Sequence, residues 1–342
     1  MRGWSQRKLA QELDTNIDRI SRWECGDSVP SPYYREKLCT LFGKDAKELG
    51  FVRRISPIRN AFEEEDLYYF SFGKLKTTWI VIDGDGIAEY SPQNIRSHFD
   101  PHPEELPEDL RVRRDQIQQQ QEQKRKLGHP FQWNGGRYSL DRFVLSRDQV
   151  CEDMVLDMWF RPSDYYTFLA TNMSLKENAL RETYLQGVDW HSPVHYFSNS
   201  FGVSLTVITS DGYTMFTERG TNLGSRPGNY NISVSEGLSR PLDRGTRGHA
   251  PDVYRCASRG LTEELGLHEP DDFVASDIVL LSFGVDTLYS LWGLRGMVKT
   301  SKPVEEIVRH WSNGVKDKLE NERIFPVKFA LEEGDHVFCL FT

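Results

Sequence analysis

The chain has 342 residues, with 42 lysines and arginines against 51 aspartates and glutamates, for a net charge of −9. That length holds two or three domains with separate cores, and the acidic balance excludes a protein that acts as a whole on polyanions. Five cysteines show no CxxC or Cys/His ligand spacing, there is no signal peptide, and no apolar run reaches the ~18 residues of a membrane span, so a soluble cytoplasmic protein without a membrane partner is expected.

Residues 1–54 carry a small positive excess, from Arg2, Arg7, Lys8, Arg19, Arg22, Arg53 and Arg54 among others. Within them Ser5 to Gly26 reads as two short helices separated by a break of about four residues. Ser5 caps the first, whose Leu9, Ala10 and Leu13 share one face. Asp14-Thr15-Asn16 forms the turn, with Thr15 or Asn16 capping the second helix. There Ile17, Ile20 and Trp23 recur every third residue and are expected to face inward, and Gly26 ends the helix. Asn16, Asp18, Arg19 and Arg22 are left facing out, side chains able to bond base edges or phosphates in a major groove. Two amphipathic helices alone also describe an αα-hairpin that merely packs.

The run SQRKLA, then ISRWE, a glycine, a Pro-containing loop and LCTLFG resembles the Cro/C1-type (XRE-like) helix-turn-helix domain over residues 1–52. The resemblance implies a recognition helix containing Asn16, Ile17, Asp18, Arg19 and Arg22, with Gln6 on the sugar-phosphate backbone. Asp45-Ala46-Lys47-Glu48 then reads as the capping box of a final short helix. The implied partner is a double-stranded DNA operator bound as a homodimer, since such domains read paired half-sites. Family members carry a full helix ahead of the SQ. Here only Met1-Arg2-Gly3-Trp4 stands there, so an upstream start or a fragment is expected, the fragment first.

Val52 to Ile58 reads as a linker, and residues 55–132 as linker, strands and a polar Gln-rich insertion. Leu67–Phe72 and Thr77–Asp83 are strand-like, followed by a turn at Asp83-Gly84-Asp85-Gly86. Glu104 to Leu127 is almost all charge and glutamine, with too few apolar residues to bury a face, and is expected to be a solvated helix or mobile insertion. From Trp133 the pattern is globular. Strands are expected at Gly135–Leu140 and Met154–Phe160, a helix at Asp164–Thr171, and a hairpin of Val203–Ile208 and Tyr213–Glu218 around Ser210-Asp211-Gly212. Helix Asp252–Leu265, strands Ile278–Phe283 and Leu288–Val298, helix Val304–Leu319 and strand Phe325–Phe329 complete a mixed α+β pattern.

Arg259-Gly260-Leu261-Thr262-Glu263-Glu264-Leu265-Gly266-Leu267 is the second stretch that carries chemistry. Glu263 and Glu264 project to adjacent sides of one helix face, and Gly266 is the natural stop. Two carboxylates on a rigid helix can hold Mg²⁺ or Mn²⁺ against a diphosphate. The same residues also suit an ordinary amphipathic helix with Val253, Cys256 or Ala257, Leu261 and Leu265 inside and the glutamates solvated.

The string resembles the Nudix box. Gly245 stands at the leading glycine, Arg259, Glu263 and Glu264 fill their places, Leu261 and Leu267 the apolar ones, and Gly266 the last. The Val203–Arg219 hairpin and the Ile232–Gly237 strand precede the box as in that family. The resemblance spans about residues 200–330 and implies a mixed-sheet α/β/α sandwich over residues 133–342, with the earlier strands, from Leu67 or Trp133, as an N-terminal elaboration of the same domain. It also implies a nucleotide-type small molecule as ligand, catalytic roles for Glu263 and Glu264, and Mg²⁺ or Mn²⁺ on them. Two positions depart: the glutamate after the box arginine is Gly260, and an earlier one is Pro251, beside Asp252. Glu236 or Asp243 could replace the missing ligand, giving a metal set of Glu263, Glu264 and Glu236. The chain stops on the apolar Phe338–Thr342 run, where the family continues into a closing helix. His191 and His195 are interrupted by Pro193, which argues against a helical metal pair; Asn199 and Arg219 read either as base or ribose contacts or as structural residues.

The expected protein is therefore an α+β multidomain chain, with an all-α helix-turn-helix domain at residues 1–54 ahead of a degenerate Nudix-like domain. Its expected function is transcriptional regulation, the second domain sensing a nucleoside-diphosphate-linked metabolite. The alternative is an Mg²⁺-dependent pyrophosphohydrolase with an incomplete box that carries a DNA-binding module. A protein-interaction role for both halves stays open.

Overall fold

Helical periodicity in the first fifty residues and β-branched, aromatic runs later produce two different architectures. A computed structural model describes them at residues 4–25, 30, 32–44, 49, 69–72, 75–84, 86, 88–148, 153–220, 230–246, 248–316 and 321–328. The chain divides into the units Met1–Asp66 and Leu67–Thr342.

The first unit contains α1 (Gln6–Leu13), α2 (Ile17–Cys25) and α3 (Pro32–Phe42). Ser5 caps α1 by accepting from the Lys8 amide at 3.3 Å, and Asn16, not Thr15, caps α2 by accepting from the Arg19 amide at 2.8 Å. Asp14 ends α1 in the left-handed region at φ 53, which turns the chain between the helices. Ala10, Leu13, Ile20 and Leu38 form the buried core, with Leu9, Trp23, Tyr34, Leu41 and Phe42 half-buried around it. Ile17 does not face inward: it is 40 % exposed while Ile20 is fully buried. A three-residue spacing drifts by about 60° per step around a helix, so Ile17 and Trp23 flank the contact that Ile20 centres. Gly26, the Asp45–Glu48 capping box and the Val52–Ile58 linker lie outside the described residues.

The second unit is mixed α+β. Its strands are β1 (Tyr69–Phe72), β2 (Leu75–Asp83), β3 (Ile95–Phe99), β4 (Gly136–Arg147), β5 (Met154–Asp164), β6 (Phe201–Ile208), β7 (Tyr213–Arg219), β8 (Tyr230–Asn231), β9 (Val234–Gly237), β10 (Ile278–Asp286), β11 (Leu291–Lys299) and β12 (Asn321–Lys328). The helices are α4 (Glu108–Lys126), α5 (Tyr165–Ala170), α6 (Asn178–Tyr184), α7 (Val253–Leu265) and α8 (Val304–Gly314). A large sheet runs β1-β2-β10-β11-β6-β7-β12, with β8 against β7 and β9 against β6; β3-β5-β4 form a small one. The central β11 and β6 pair in parallel, Leu294 opposite Val203, and β9 returns antiparallel on β6. Val203, Leu205 and Val207 of β6 alternate along the strand, share one face and are all buried, which places that face on the core.

Residues 75–83, which the sequence leaves either ahead of the domain or as its N-terminal elaboration, are β2 of the large sheet, with Ile80 opposite Val285 of β10. The charged Glu104–Leu127 stretch is a docked helix, α4, not a free one. Leu110 is fully buried, Arg114 meets Asp164 at 2.5 Å and Thr167 at 3.1 Å, and Arg113 bonds both oxygens of Glu177. Polar anchors do for α4 what an apolar stripe does elsewhere. Burial pushes the Asp164 carboxyl up, but Arg114 and Thr167 together hold it below the usual carboxylate range. Its contribution is therefore present at neutral pH and lost as pH falls through the folded value. Arg114→Ala is expected to cost the docking of α4 about 1 kcal/mol, read as roughly fivefold faster amide exchange across Glu108–Lys126. Unchanged exchange would show that the Arg114 anchor contributes nothing to the docking.

The hairpin, α5, α7 and β10 form where the sequence places them, whereas α8 ends at Gly314 and β11 begins at Leu291. Strand β3 and helix α6 have no counterpart in the sequence reading. Among the described residues no helix is long and apolar enough to cross a membrane.

Candidate functional site

In the first unit, Asn16, Ile17, Asp18, Arg19 and Arg22 are all exposed on α2 and its cap. Arg19 is pre-ordered: its Nη1 donates to Thr15 at 3.2 Å and to the Tyr34 hydroxyl at 3.0 Å, with the guanidinium 5.4 Å from the Tyr34 ring centre. Gln6 is half-buried and donates to Glu24 at 2.7 Å, tying α1 to α2.

In the second unit α7 begins on Asp252, which accepts from the Tyr254 and Arg255 amides, and stops at Gly266, φ 70. That left-handed residue lets the Leu267 amide return to the Leu261 carbonyl at 3.1 Å. The buried face is Val253, Cys256, Ala257, Gly260, Leu261, Glu264 and Leu265. Glu264 thus falls on the inward stripe, where it is 4 % exposed and accepts from the Ser235 amide of β9 at 2.9 Å. Gly260 lies on the same stripe: a Cβ there would stand 2.8 Å from both Glu236 Cβ and Val234 Cγ1. The helix approaches β9 too closely for any side chain at position 260.

Arg259 is the hub of an ion cluster. Its Nε and Nη2 donate to the two oxygens of Asp243 at 2.8 and 2.7 Å, and Nη2 also donates to the Gly237 carbonyl at 2.9 Å. Nη1 stands 3.1 Å from Glu236 and 3.1 Å from Glu263, whose other oxygen takes Lys316. Asp243 is fully buried and also accepts from the Ser239 amide at 2.7 Å. This fork-on-carboxylate geometry fastens the loop after β9 to the helix. Burial pushes the Arg259 guanidinium down, but Asp243, Glu236 and Glu263 keep it firmly charged. For Glu263 burial pushes up, and Lys316 and Arg259 outweigh it to hold the carboxyl low. Burial drives the Cys256 thiol well up, so it stays protonated and donates to the Glu236 carbonyl at 3.6 Å.

The sequence-selected carboxylates therefore part company. Glu264 is sealed against β9; Glu263 opens on the outer side of α7, in a shallow cavity shared with Ser258 and Glu269; Glu236 lines a different cavity. Among the described residues no group of three or more His, Cys, Asp or Glu is placed to hold a metal ion. The donors of the Glu263, Glu264 and Glu236 set are turned to Arg259, Lys316 and backbone amides, which does not fit Mg²⁺ or Mn²⁺.

The cavity that Glu236 lines, of about 540 Å³, is walled by several strands of the large sheet and by β4, and was not legible from any motif. Arg137, Arg219 and Arg295 line it together with Trp79, Asn231 and Asp286. Arg295 stacks 3.8 Å over the Trp79 ring, and Arg137 lies 5.0 and 5.1 Å from the Tyr165 and Phe168 ring centres. Of the three arginines, Arg219 is a candidate from the sequence; Arg137 and Arg295 carry no local signal. Asn199 is structural, buried and bonded to Val194 and Ser290, and His191 pairs with Asp189 at 2.9 Å away from both cavities.

No family model matches the chain, and no curated protein matches it. Among solved structures, the crystal structure of DR0079 from Deinococcus radiodurans is similar at 11 % identity and a TM-score of 0.26, covering 38 % of this chain and 67 % of that one. A likeness of that size carries no argument about fold or function.

Proposed function

We propose that the chain is a sequence-specific transcriptional regulator whose second unit senses a ligand built on a nucleoside diphosphate. The cavity lined by Arg137, Arg219, Arg295 and Trp79 carries this reading. Guanidiniums take phosphate oxygens bidentately, and the exposed indole of Trp133, which also lines the cavity, offers a face to a base or ribose. A sensor needs such a cradle and no complete catalytic carboxylate set, which agrees with glycine at position 260 and with the glutamates turned to Arg259. On the DNA side the support is the Cro/C1-type motif string together with the exposed Asn16, Asp18, Arg19 and Arg22 on α2. The proposal includes a homodimer on paired half-sites, the Nudix-like sandwich for the second unit, and a cytoplasmic location. Ligand binding would shift DNA affinity by as much as its preference between the two states allows.

The test pairs selection of a binding site from a random duplex pool with calorimetric titration of ADP-ribose, NAD, sugar nucleotides and NTPs into the full-length chain, followed by product analysis. Selection of one enriched site, binding without turnover, and a ligand-dependent change in DNA affinity are expected. Turnover would instead favour a hydrolase carrying a DNA-binding module. Arg22→Ala is expected to weaken the selected duplex about tenfold, measured by fluorescence anisotropy at fixed salt. An unaltered affinity would remove Arg22 from the interface.

A further inference from the structure

We propose that the cavity holds the anionic centre of its ligand with Arg137 and Arg295, so that binding needs no divalent cation. This rests on reading the cavity as the site of a nucleoside-diphosphate ligand, and adds the means of charge compensation. Two independent features converge on it. The first is the disposition of the carboxylates. Glu236, Asp243 and Glu263, the residues nearest to a cation-binding set, all surround one guanidinium, at 3.1, 2.7 and 3.1 Å from Arg259. Gly260 has no room for another, because β9 stands where its side chain would go. An internal cation already occupies the centre of the cluster, and a divalent ion would have to displace a guanidinium bound by two short bonds to a fully buried Asp243.

The second feature is the charge of the cavity itself. Arg137, Arg219 and Arg295 line it against Glu236 and Asp286. Glu236 stands 3.1 Å from Arg259, and Asp286 accepts from Thr78 at 2.7 Å and from the Leu288 amide at 3.0 Å. The lining thus carries three guanidiniums against two carboxylates. The arginines are also held in place: Arg295 is 8 % exposed and lies flat on Trp79, while Arg137 sits beside the Tyr165 and Phe168 rings. Gly237 keeps room for Arg137, whose Nη1 would be 3.2 Å from a Cβ at that position. A planar guanidinium fixed by stacking loses little further freedom when it takes an anion, so it substitutes for a metal as the partner of a diphosphate.

The deciding experiment is calorimetry of the full-length protein with ADP-ribose as probe, once with MgCl₂ and once with EDTA, and with adenosine as the phosphate-free control. The dissociation constants for ADP-ribose are expected to agree within about threefold between the two buffers, and Arg137→Met and Arg295→Met are each expected to weaken ADP-ribose about tenfold or more. Adenosine binding to the same variants should change less than about twofold, which a merely unfolded or distorted cavity would not allow. Binding that disappears in EDTA and returns with Mg²⁺ would overturn the inference while leaving the sensor reading in place. An equal loss of adenosine and ADP-ribose in both variants would also overturn it. No heat from any nucleotide in either buffer would overturn both.

Discussion

Arg259→Met is expected to cost the second unit about 3–5 kcal/mol at neutral pH, because it removes the one cation shared by three carboxylates, Asp243 fully buried and Glu236 and Glu263 half-buried. The side chains of Asp243, Glu263 and Glu236 are 0, 13 and 18 % exposed, so solvent screens little of the loss. Urea denaturation followed by tryptophan fluorescence measures it. The pH dependence gives the result its meaning. In the wild type Glu263 is held low despite its burial, by Lys316 and Arg259, so its contribution is complete above the unfolded carboxylate pKa and disappears as pH falls through the folded one. Without Arg259 burial acts on the same carboxylate with only Lys316 to oppose it. The carboxyl of the variant is then held less low, so the variant has less of this contribution to lose on acidification. The gap between wild type and variant should therefore narrow as pH falls from 7 to about 4. A gap of constant size would show that the arginine acts through packing, not charge.

Gly260→Ala is the second large effect, expected to cost about 1–3 kcal/mol by overpacking. The new methyl would stand 2.8 Å from Glu236 Cβ and 2.8 Å from Val234 Cγ1, atoms close to the β9 backbone that have no flexible end to swing away. Val234→Ala removes one of the two obstacles, so the double variant should be more stable than the sum of the single effects predicts, by about 0.5 kcal/mol or more. Strict additivity would mean that α7 shifts as a body to make room. Gly260→Glu, which introduces the residue that the Nudix pattern has at this place, is expected to destabilise further and to yield no hydrolytic activity in a phosphate-release assay. It would bring a carboxylate into a contact with no space and no partner. Glycine at this position is thus a packing requirement of the helix–strand approach in this chain, whatever chemistry a glutamate supplies in proteins that carry one.

The two positions show why part of the site was legible and part was not. Helix α7 could be read almost to the residue. Asp252 is a cap, Gly266 a left-handed stop, and Val253, Ala257, Leu261 and Leu265 repeat at the helical period. The same period, applied to residues 253, 257, 260 and 264, also places Glu264 on the inward stripe, a signal that its carboxyl is not solvated. The partners of Arg259 had no such signal. Asp243 lies 16 residues away and the Gly237 carbonyl 22, in a loop and a strand end whose return to the helix no local pattern encodes. The reach is longer between β2 and β10, where Thr78 bonds Asp286 across 208 residues and joins to the sheet a segment whose place, inside or ahead of the domain, the sequence leaves open.

What the sequence by itself determined is local: the caps and turn of α1 and α2, the Ser210–Gly212 hairpin, the ends and apolar stripe of α7, and an acidic chain with a weakly basic head. Each follows from backbone dihedral preference, side-chain caps or periodicity within about one or two turns. Tertiary structure alone decided which carboxylate meets which cation, that the polar α4 docks through Arg113 and Arg114, and that Arg137 and Arg295 face one cavity with Arg219. Those outcomes depend on closing long loops to bring distant strands together. Ion pairs and cavities form wherever the closed chain leaves charge and space, and neither quantity is written in the spacing of neighbouring residues.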